Sequence, residues 1–460
     1  MSIQNSDEGH HHLVTAVDTP ESSAAFKRRF MWRLLAVLIG GMLLDGYILG
    51  VIGPVTTPMK NDLGMSTWEL GLVTSAALFG ILIGSPLGGW AGDKWGRKPL
   101  FMIDMALFLI ASLLQFFVGA AVFFVDSAWQ LFLVRLLMGV AIGAEYSVGW
   151  PLMSEFAPAK LRGRLMATTV LAWYGGFMIG YAVAYLLELQ HVPWRIVLGS
   201  STIIALVLLI ARIGLPESPR WLWTERRFDE AHAIAHKYLV DSHEMTDVEH
   251  EDAHTGGFGM LFSKQYWRMT VFVSWFWFCN VLPYFAIATF AADVLEKYGL
   301  ASGLAGGVGM TMVAVIGVAV TCTFIDKAGR RVFTVPQQWI ITVVFLIIGL
   351  WSGAPPIVVL ALFLVFSFLN AMNGALTSIY PGEVFPTEVR GLGTGFAAAV
   401  SRIGAGLGTF LLPITIEKFG VSWTILGMAV IVFTGALVSQ LWAPETKGMS
   451  LSETAHLYSH

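Results

Sequence analysis

Charged residues and cysteines are scarce in this sequence of 460 residues. Charged residues make up 13% of the chain, and the two cysteines, Cys279 and Cys322, are too few for a scaffold built on several disulfide bonds. The net charge of −3 is too balanced to suggest a nucleic-acid-binding protein. The sequence has no phosphate-binding P-loop and no serine–histidine–aspartate arrangement, so we expect no enzyme. The histidines at 10–12 have no cysteine or further ligand cluster beside them, so no metal site is expected.

Hydrophobic residues, by contrast, make up 56% of the chain and recur in long apolar stretches between residues 30 and 442. A run of about 20 apolar residues crosses a bilayer as a helix, because a helix satisfies its own backbone hydrogen bonds in lipid. Twelve such runs are predicted, near 33–56, 69–92, 100–124, 130–156, 165–187, 195–215, 268–292, 302–325, 334–353, 356–379, 392–416 and 422–442. The sequence therefore predicts an all-α membrane protein with twelve transmembrane helices.

Basic residues are concentrated in alternate connections between the predicted spans. The short odd-numbered connections contain few of them: Lys60, Lys297 and Lys418. The second, fourth, eighth and tenth connections contain Lys94, Arg97, Lys98, Lys160, Arg162, Arg164, Lys327, Arg330, Arg331 and Arg390. Because basic loops remain on the cytoplasmic side, we expect the even-numbered connections and both termini in the cytoplasm and the spans in the inner membrane.

Three short sequences occur twice, once in each half of the chain. They follow the second, fourth and sixth span of each half, at intervals of 233, 228 and 228 residues. The repeats are "DKWGRK" and "DKAGRR", from Asp93 and Asp326; "EFAPAKLRG" and "EVFPTEVRG", from Glu155 and Glu383; and "PESPR" and "PETKG", with Glu217 and Glu445. Such internal repeats are typical of secondary transporters, which bind substrate between the two halves.

The longest polar segment separates these two halves and contains a stretch typical of a short amphipathic helix. The predicted organisation is a disordered cytoplasmic tail at 1–29, a six-helix bundle at 30–215, a cytoplasmic linker with short helices at 216–265, a second six-helix bundle at 266–443 and a cytoplasmic tail at 444–460.

Several motifs together resemble the major facilitator superfamily over residues 30–450. They are "GGWAGDKWGRK" after the second span, "RLLMGVAIGAEY" in the fourth and "PESPRWL" after the sixth. The resemblance implies a monomeric secondary transporter that carries a small molecule by alternating access. It also implies that spans one, four, seven and ten line the cavity.

The repeated loop motifs are interpreted as a latch on the cytoplasmic side. Gly96 permits a tight turn, and Arg97 can form a forked pair with a carboxylate such as that of Glu155. Pairs that form in one conformation and break in the other would gate transport, although positive-inside topology alone is the alternative explanation for the basic residues. The predicted gating residues are Asp93, Arg97, Glu155, Arg162, Asp326, Arg330, Glu383 and Arg390.

Ionisable residues inside a span are costly, so each is expected to have a partner, a water-filled cavity or a function. Asp104 lies near a span end and is expected to reach the interface. Because desolvation disfavours a charged carboxyl group, Asp45 and Glu145 are predicted to bind the coupling proton of a symporter. A permanent salt bridge between Arg135 and Asp45 is the alternative, and Arg135 is expected to organise a carboxylate.

Arg402 in span eleven is predicted to bind an anionic substrate. A guanidinium is always charged and matches a carboxylate or a phosphate. The surrounding "SRIGAGLG" is also similar to the sequence of aromatic-acid symporters of the superfamily. Internal pairing of Arg402 with Asp45 or Glu145 is the alternative. Aromatic and amide residues are expected to complete the substrate site: Tyr146, Trp173, Tyr174, Trp277, Asn280, Tyr284 and Asn373.

The resulting expectation is proton-coupled import of a small organic anion, an aromatic or other carboxylate, with the proton as coupling ion and no other cofactor. A sugar is ranked lower, because "WFWFCNVLPYF" and "LTSIYPGEVFP" lack the signatures of the sugar-transporting branch. A phosphate symporter is a further alternative, although Asn280 stands where that branch has an acid. An exporter of drugs or organic cations is another, against which Arg402 argues.

Overall fold

The structure is a computed structural model that describes residues 24–119, 126–156, 159–238, 258–351, 353–385 and 390–447. Within these ranges the chain forms twelve helices long and apolar enough to cross a membrane. They are α1 Ala24–Gly50, α2 Thr67–Trp95, α3 Arg97–Leu114, α4 Ser127–Phe156, α5 Ala159–Leu189, α6 Trp194–Arg212, α7 Trp267–Thr289, α8 Gly303–Ala328, α9 Val335–Leu350, α10 Pro356–Val384, α11 Arg390–Phe419 and α12 Val421–Trp442. The prediction of an all-α protein with twelve transmembrane helices is confirmed.

Local sequence explains where α2 begins. The Ser66 hydroxyl accepts the backbone N–H of Glu69 at 3.2 Å, while the Glu69 carboxylate accepts the backbone N–H of Ser66 at 2.8 Å. This reciprocal capping box satisfies two backbone donors that the first turn of α2 leaves without an intrahelical acceptor. α2 therefore begins immediately after Ser66.

α1 begins at Ala24, inside the segment predicted as a disordered tail. Its first turns pack on a short helix of the linker, Phe228–Tyr238. The rings of Phe26 and Phe30 lie 5.8 and 4.4 Å from the ring of Tyr238. Burial of these aromatic faces stabilises the extra helical turns, since aromatic side chains bury large apolar areas.

The two halves of the chain meet where α2 packs on α11 and α5 packs on α8. We call the end where α1 begins and α12 finishes the terminal end, and the opposite end the distal end. Trp68 contacts Phe410 edge to face at 6.0 Å, and a Cβ at Gly307 would lie 2.1 Å from the Tyr181 hydroxyl oxygen. These contacts lie in the distal half of the helices. The structure is therefore closed at its distal end.

Candidate functional site

A cavity lies between the two halves, at the centre of the bundle. It contains about 600 Å³ of space unfilled by atoms, which includes space open to solvent. Helices α1, α4, α5, α7, α10 and α11 supply its walls. Seven of the eight predicted substrate residues line it: Tyr146, Trp173, Tyr174, Trp277, Asn280, Tyr284 and Arg402.

Aromatic rings from α5 and α7 form one wall of the cavity. Trp173 and Tyr174 meet edge to face at 5.1 Å, and Tyr174 and Tyr284 do so at 5.6 Å. Phe285 packs edge to face on Trp173 at 5.7 Å. Each ring thereby restrains its neighbour, so the wall offers a rigid apolar surface on which a flat ligand face can stack.

Polar groups from α7 and α10 form another part of the lining. The side-chain amides of Asn280 and Asn370 each donate to the other residue's backbone carbonyl at 3.0 Å. This reciprocal pair fixes the Asn280 side chain, which lines the cavity beside Thr377 and Ser378. The sequence prediction omitted Thr377 and Ser378. It placed Asn373 at the site, but the structure buries Asn373 completely and does not bring it to the lining.

Arg402 extends from α11 into the same cavity. Its guanidinium carbon lies 5.7 Å from the centre of the Tyr146 ring. In the described part of the chain it forms no salt bridge with Asp45 or Glu145, so the internal pairing considered as an alternative does not occur in this conformation. The positive charge of Arg402 therefore faces the space that a ligand would occupy.

Asp45 is fully buried on α1. Neither of its carboxylate oxygens has a hydrogen-bond partner among the described residues. Arg135 does not form the salt bridge proposed as the alternative; it donates instead to the backbone carbonyl of Ile48 at 3.3 Å. Asp45 is thus a fully buried carboxyl group without a paired counter-charge in the described residues, and its role in binding the coupling proton stays a prediction.

Glu145 is held by a residue that the sequence prediction did not identify. Arg212 at the end of α6 donates to Glu145 at 2.5 Å and to Asp104 at 2.8 Å. The expectation that Asp104 reaches the interface is wrong, because its side chain is fully buried and paired with Arg212. An arginine within the apolar "LLIARIGL" was the available signal, but its place near a span end made it resemble an ordinary interfacial residue.

The repeated loop motifs are arranged alike in both halves. The Glu217 carboxylate accepts the backbone N–H groups of Arg97 and Lys98 at 3.0 and 3.1 Å. In the second half Glu445 accepts those of Arg330 and Arg331, at 2.9 and 3.0 Å. Glu217 thus binds the N-terminus of α3, and Glu445 binds the N-terminus of the short helical turn before α9. Backbone N–H donors and the helix dipole favour negative charge at such an N-terminus.

A glycine makes each of these approaches possible. Gly96 and Gly329 have φ angles of +99° and +96°, which L side chains rarely adopt. A Cβ at Gly96 would lie 2.6 Å from Glu217, and one at Gly329 would lie 2.5 Å from Glu445. The sequence showed that both motifs are repeated in the two halves. The spacing of the motifs did not reveal that Glu217 and Glu445, in "PESPR" and "PETKG", bind the backbone of "DKWGRK" and "DKAGRR".

One pair among the predicted gating residues is visible. Arg330 forms a forked pair with Glu383, from Nη2 to Oε1 at 2.8 Å and from Nε to Oε2 at 3.2 Å. This pair corresponds by sequence repeat to the expected pair of Arg97 and Glu155. Its gating role stays a prediction. The side chains of Asp93, Glu155, Arg162, Asp326 and Arg390 lie outside the described residues.

Twelve membrane-spanning helices around a central cavity with buried ionisable residues define a membrane transporter of the secondary-active kind. The family model for sugar (and other) transporters matches residues 34–458. The chain therefore belongs to the family of sugar and other transporters within the major facilitator superfamily.

Individual relatives cover nearly all of the chain. The inner membrane metabolite transport protein YgcS of Escherichia coli is 34% identical over 429 residues, 92% of this chain and 93% of its own. A D-xylose transporter of Levilactobacillus brevis is 28% identical over 434 residues, 90% of this chain and 92% of its own. Family membership thus rests on the whole transmembrane region.

Solved structures agree on the fold. The proton:xylose symporter XylE, bound to 6-bromo-6-deoxy-D-glucose, aligns with a TM-score of 0.78, 21% identity and coverage of 94% of this chain and 100% of that chain. A partially occluded inward-open XylE from E. coli aligns equally well, at 0.78 with 20% identity over 92% of this chain and 100% of that chain. The comparisons do not support the expected preference for organic anions, and they agree better with the lower-ranked sugar alternative.

Proposed function

We propose that this protein is a proton-coupled symporter that imports a small sugar or sugar-like metabolite across the inner membrane, with its distal end facing outward. The observation that carries the proposal is the central cavity, where an aromatic wall and a polar wall lie beside a buried aspartate. A sugar has an apolar ring face and a rim of hydroxyl groups. Trp173 and Tyr174 suit the ring face, while the Asn280 amide suits the hydroxyl groups.

Asp45 supports proton coupling. An unpaired buried carboxyl group favours its protonated form, whereas a water-filled, open conformation favours its release of the proton. If the proton binds before the cavity closes, the fully loaded carrier moves without an unpaired buried charge. The proton:xylose symporter XylE, which shares this fold, is consistent with this role.

Arg402 favours a second candidate, a substrate that carries a carboxylate. A guanidinium without a salt-bridge partner in the described residues is costly to bury and is stabilised when a ligand supplies the counter-charge. A sugar acid would satisfy both the family's preference and this cation, and an aromatic acid would satisfy the cation alone.

A binding screen separates these candidates. Purified protein is heated with D-xylose, D-glucose, D-glucuronate, benzoate or inorganic phosphate, since a ligand that binds the folded state raises the melting temperature. Compounds that stabilise the protein are then tested for uptake into proteoliposomes with and without a pH gradient. Stabilisation by the sugars or the sugar acid, followed by gradient-driven uptake, is expected. Stabilisation by benzoate or phosphate alone would contradict the sugar proposal.

Substitution of Arg402 tests the role of the cation. For a carboxylate ligand, Arg402→Ala removes one partner of a buried charge pair at a cost of about 2–5 kcal/mol, roughly 30-fold to several-thousand-fold in affinity. Arg402→Lys should recover only part of the affinity, because lysine lacks the planar fork. Binding of a neutral sugar should change little, and Arg268→Ala, an exposed arginine at the start of α7, serves as control. Equal loss for the acid and the neutral sugar would exclude a carboxylate contact.

A further inference from the structure

A cluster of three buried charges lies between the cavity and the terminal end. Arg212 donates from Nη1 to Asp104 Oδ1 at 2.8 Å and from Nη2 to Glu145 Oε1 at 2.5 Å. The exposed fractions of the three side chains are only 0%, 0% and 3%. The second oxygens, Asp104 Oδ2 and Glu145 Oε2, have no hydrogen-bond partner among the described residues. One fixed cation thus faces two carboxyl groups.

The charges of this cluster do not balance unless a proton is bound. Two ionised carboxylates beside one guanidinium would leave one buried negative charge without compensation, which is costly in an apolar interior. The charged groups that interact with the cluster from neighbouring helices are Asp45 on α1 and, through Asp45, Arg402 on α11. Two carboxyl groups that share a site in this way retain one proton between them.

Glu145 also connects this cluster to Asp45. A Cβ at Gly41 would lie 1.8 Å from Glu145 Oε1, so the carboxylate lies directly on the α1 backbone, where only glycine leaves room. Gly41 and Asp45 are four residues apart and share one face of the helix, about 6 Å apart along its axis. Glu145 Oε1 therefore contacts α1 about one helical turn from Asp45.

We propose that Asp104, Arg212 and Glu145 form a proton relay that continues from Asp45 toward the terminal end, with Arg212 as its positioning residue. The inference rests on the proposed symport. In the resting cluster Asp104 holds the shared proton and Glu145 is ionised. Asp104 releases that proton toward the terminal end, and protonated Asp45 gives its own proton to Glu145, which leaves Asp45 ionised and Glu145 neutral. Glu145 then passes this proton to the Asp104 carboxylate, so that the cluster again holds one proton. Arg212 keeps its own protons throughout and balances whichever carboxylate is charged.

Infrared spectroscopy of the purified full-length protein tests the shared proton without any substrate. The probe is the carbonyl stretch of protonated carboxyl groups, recorded during a pH titration in an Asp45→Asn background. In Asp104→Asn the remaining carboxylate, Glu145, is ionised and paired with Arg212; in Glu145→Gln the same holds for Asp104. Neither variant then retains the shared proton, so either substitution should remove the same band. The control is Glu417→Gln, an exposed acid near the distal end of α11, which should leave it in place. A cluster that is fully ionised shows no such band, and that result would overturn the relay.

Transport provides the second measurement, with any panel compound that the wild-type protein accumulates. At one proton per substrate, a gradient of one pH unit supports about tenfold accumulation. Asp104→Asn should abolish this accumulation while exchange of labelled for unlabelled substrate persists, a split that a merely structural role would not produce. Persistence of gradient-driven accumulation in Asp104→Asn would exclude Asp104 from the relay.

Gly41→Ala keeps every charge of the cluster. It therefore tests the relay even if the variants that remove a charge fail to fold. The new methyl group displaces Glu145 from α1, so accumulation should slow while the Asp104–Arg212 pair remains. Gly427→Ala is the matched control, since a Cβ there meets nothing within 4 Å. If no panel compound is transported, the proposed symport fails. The infrared band then still decides whether the cluster holds a proton.

Discussion

Asp45 is buried outside the cavity lining and Arg402 lies in it; the two interact electrostatically and yet form no salt bridge in the described residues. A direct pair would neutralise both and leave neither able to bind another partner. Separation keeps Asp45 available for a proton and Arg402 available for a ligand. At the scale of single residues, the separation of Asp45 from Arg402 is therefore what leaves each of them able to bind its own partner.

Asp45→Asn tests the proton-binding residue. Asparagine resembles the protonated acid in shape and charge but cannot release a proton, so the carrier should exchange substrate across the membrane without concentrating it. A pH gradient that drives about tenfold accumulation at one proton per substrate in the wild type should drive none in the variant. Counterflow and gradient-driven uptake are measured in the same proteoliposomes. Accumulation that survives Asp45→Asn would assign the essential proton to Glu145 instead.

Sequence reasoning found the cavity residues better than their partners. Aromatic and amide residues in the middle of the seventh span indicated Asn280 and Tyr284, because mid-span polar and aromatic groups suit a cavity. The partner of Glu145 was missed, because Arg212 lies at a helix end in sequence and is drawn inward only by the packing of α3, α4 and α6. Such a pairing depends on tertiary contacts, which spacing along the chain does not encode.

At the scale of helices, the packing of α11 on α2 closes the distal end. A Cβ at Gly71 would lie 2.5 Å from the Phe410 carbonyl oxygen, and one at Gly406 would lie 2.6 Å from the Phe79 ring. These distances leave no room for a side chain at either glycine. Small residues permit such close helix contacts within a membrane. The closed state therefore depends on both glycines.

Gly406→Trp should prevent this closure, because the indole would occupy the space of Phe79. Spin labels at Asn61→Cys and Ala301→Cys, both exposed at the distal end, report the separation of the two halves. The distance should increase in Gly406→Trp and stay at the wild-type value in Gly427→Trp, where no atom lies within 4 Å of the added Cβ. An unchanged distance in Gly406→Trp would show that α2 and α11 do not control the distal opening.

Element boundaries were predictable to the extent that hydropathy and caps define them. All twelve spans were recognised, since a membrane helix must be apolar along its length. The start of α1 at Ala24 was not, because its first turns depend on contact with Tyr238, which is over 200 residues away in sequence. The short motifs ranked an organic anion above a sugar, whereas the comparisons along the whole chain agree better with the sugar alternative.

For the molecule as a whole, Asp293 connects the two halves at the distal end. It follows α7 and accepts hydrogen bonds from the hydroxyl groups of Thr57 at 3.1 Å and Thr56 at 3.4 Å, in the segment after α1. Burial raises the pKa of Asp293 above its ordinary value of 3.8, and the two hydrogen bonds oppose this only in part. Protonation of Asp293 therefore favours the closed distal end.

Distal closure should thus depend on pH. Above the raised pKa, Asp293 is charged in both conformations and the closed one carries the full cost of burying it. As pH falls through the raised pKa toward 3.8, that cost disappears and the closed population grows. The labels at positions 61 and 301 should report this shift. Asp293→Asn should remove it and favour closure at every pH, while Glu417→Gln should behave as wild type. Equal pH dependence in Asp293→Asn would assign the titration elsewhere.

Glu217 and Glu445 make equivalent contacts in the two halves, so the two halves can be compared within one protein. Glu217 joins the segment after α6 to the start of α3, and Glu445 joins the segment after α12 to the helical turn before α9. The two sites differ in sequence around them but not in the way a carboxylate meets a backbone. The contact of Glu217 in the first half and that of Glu445 in the second are therefore two versions of the same interaction. The same substitution made at Glu217 and at Glu445 compares how much each half contributes to the transport cycle.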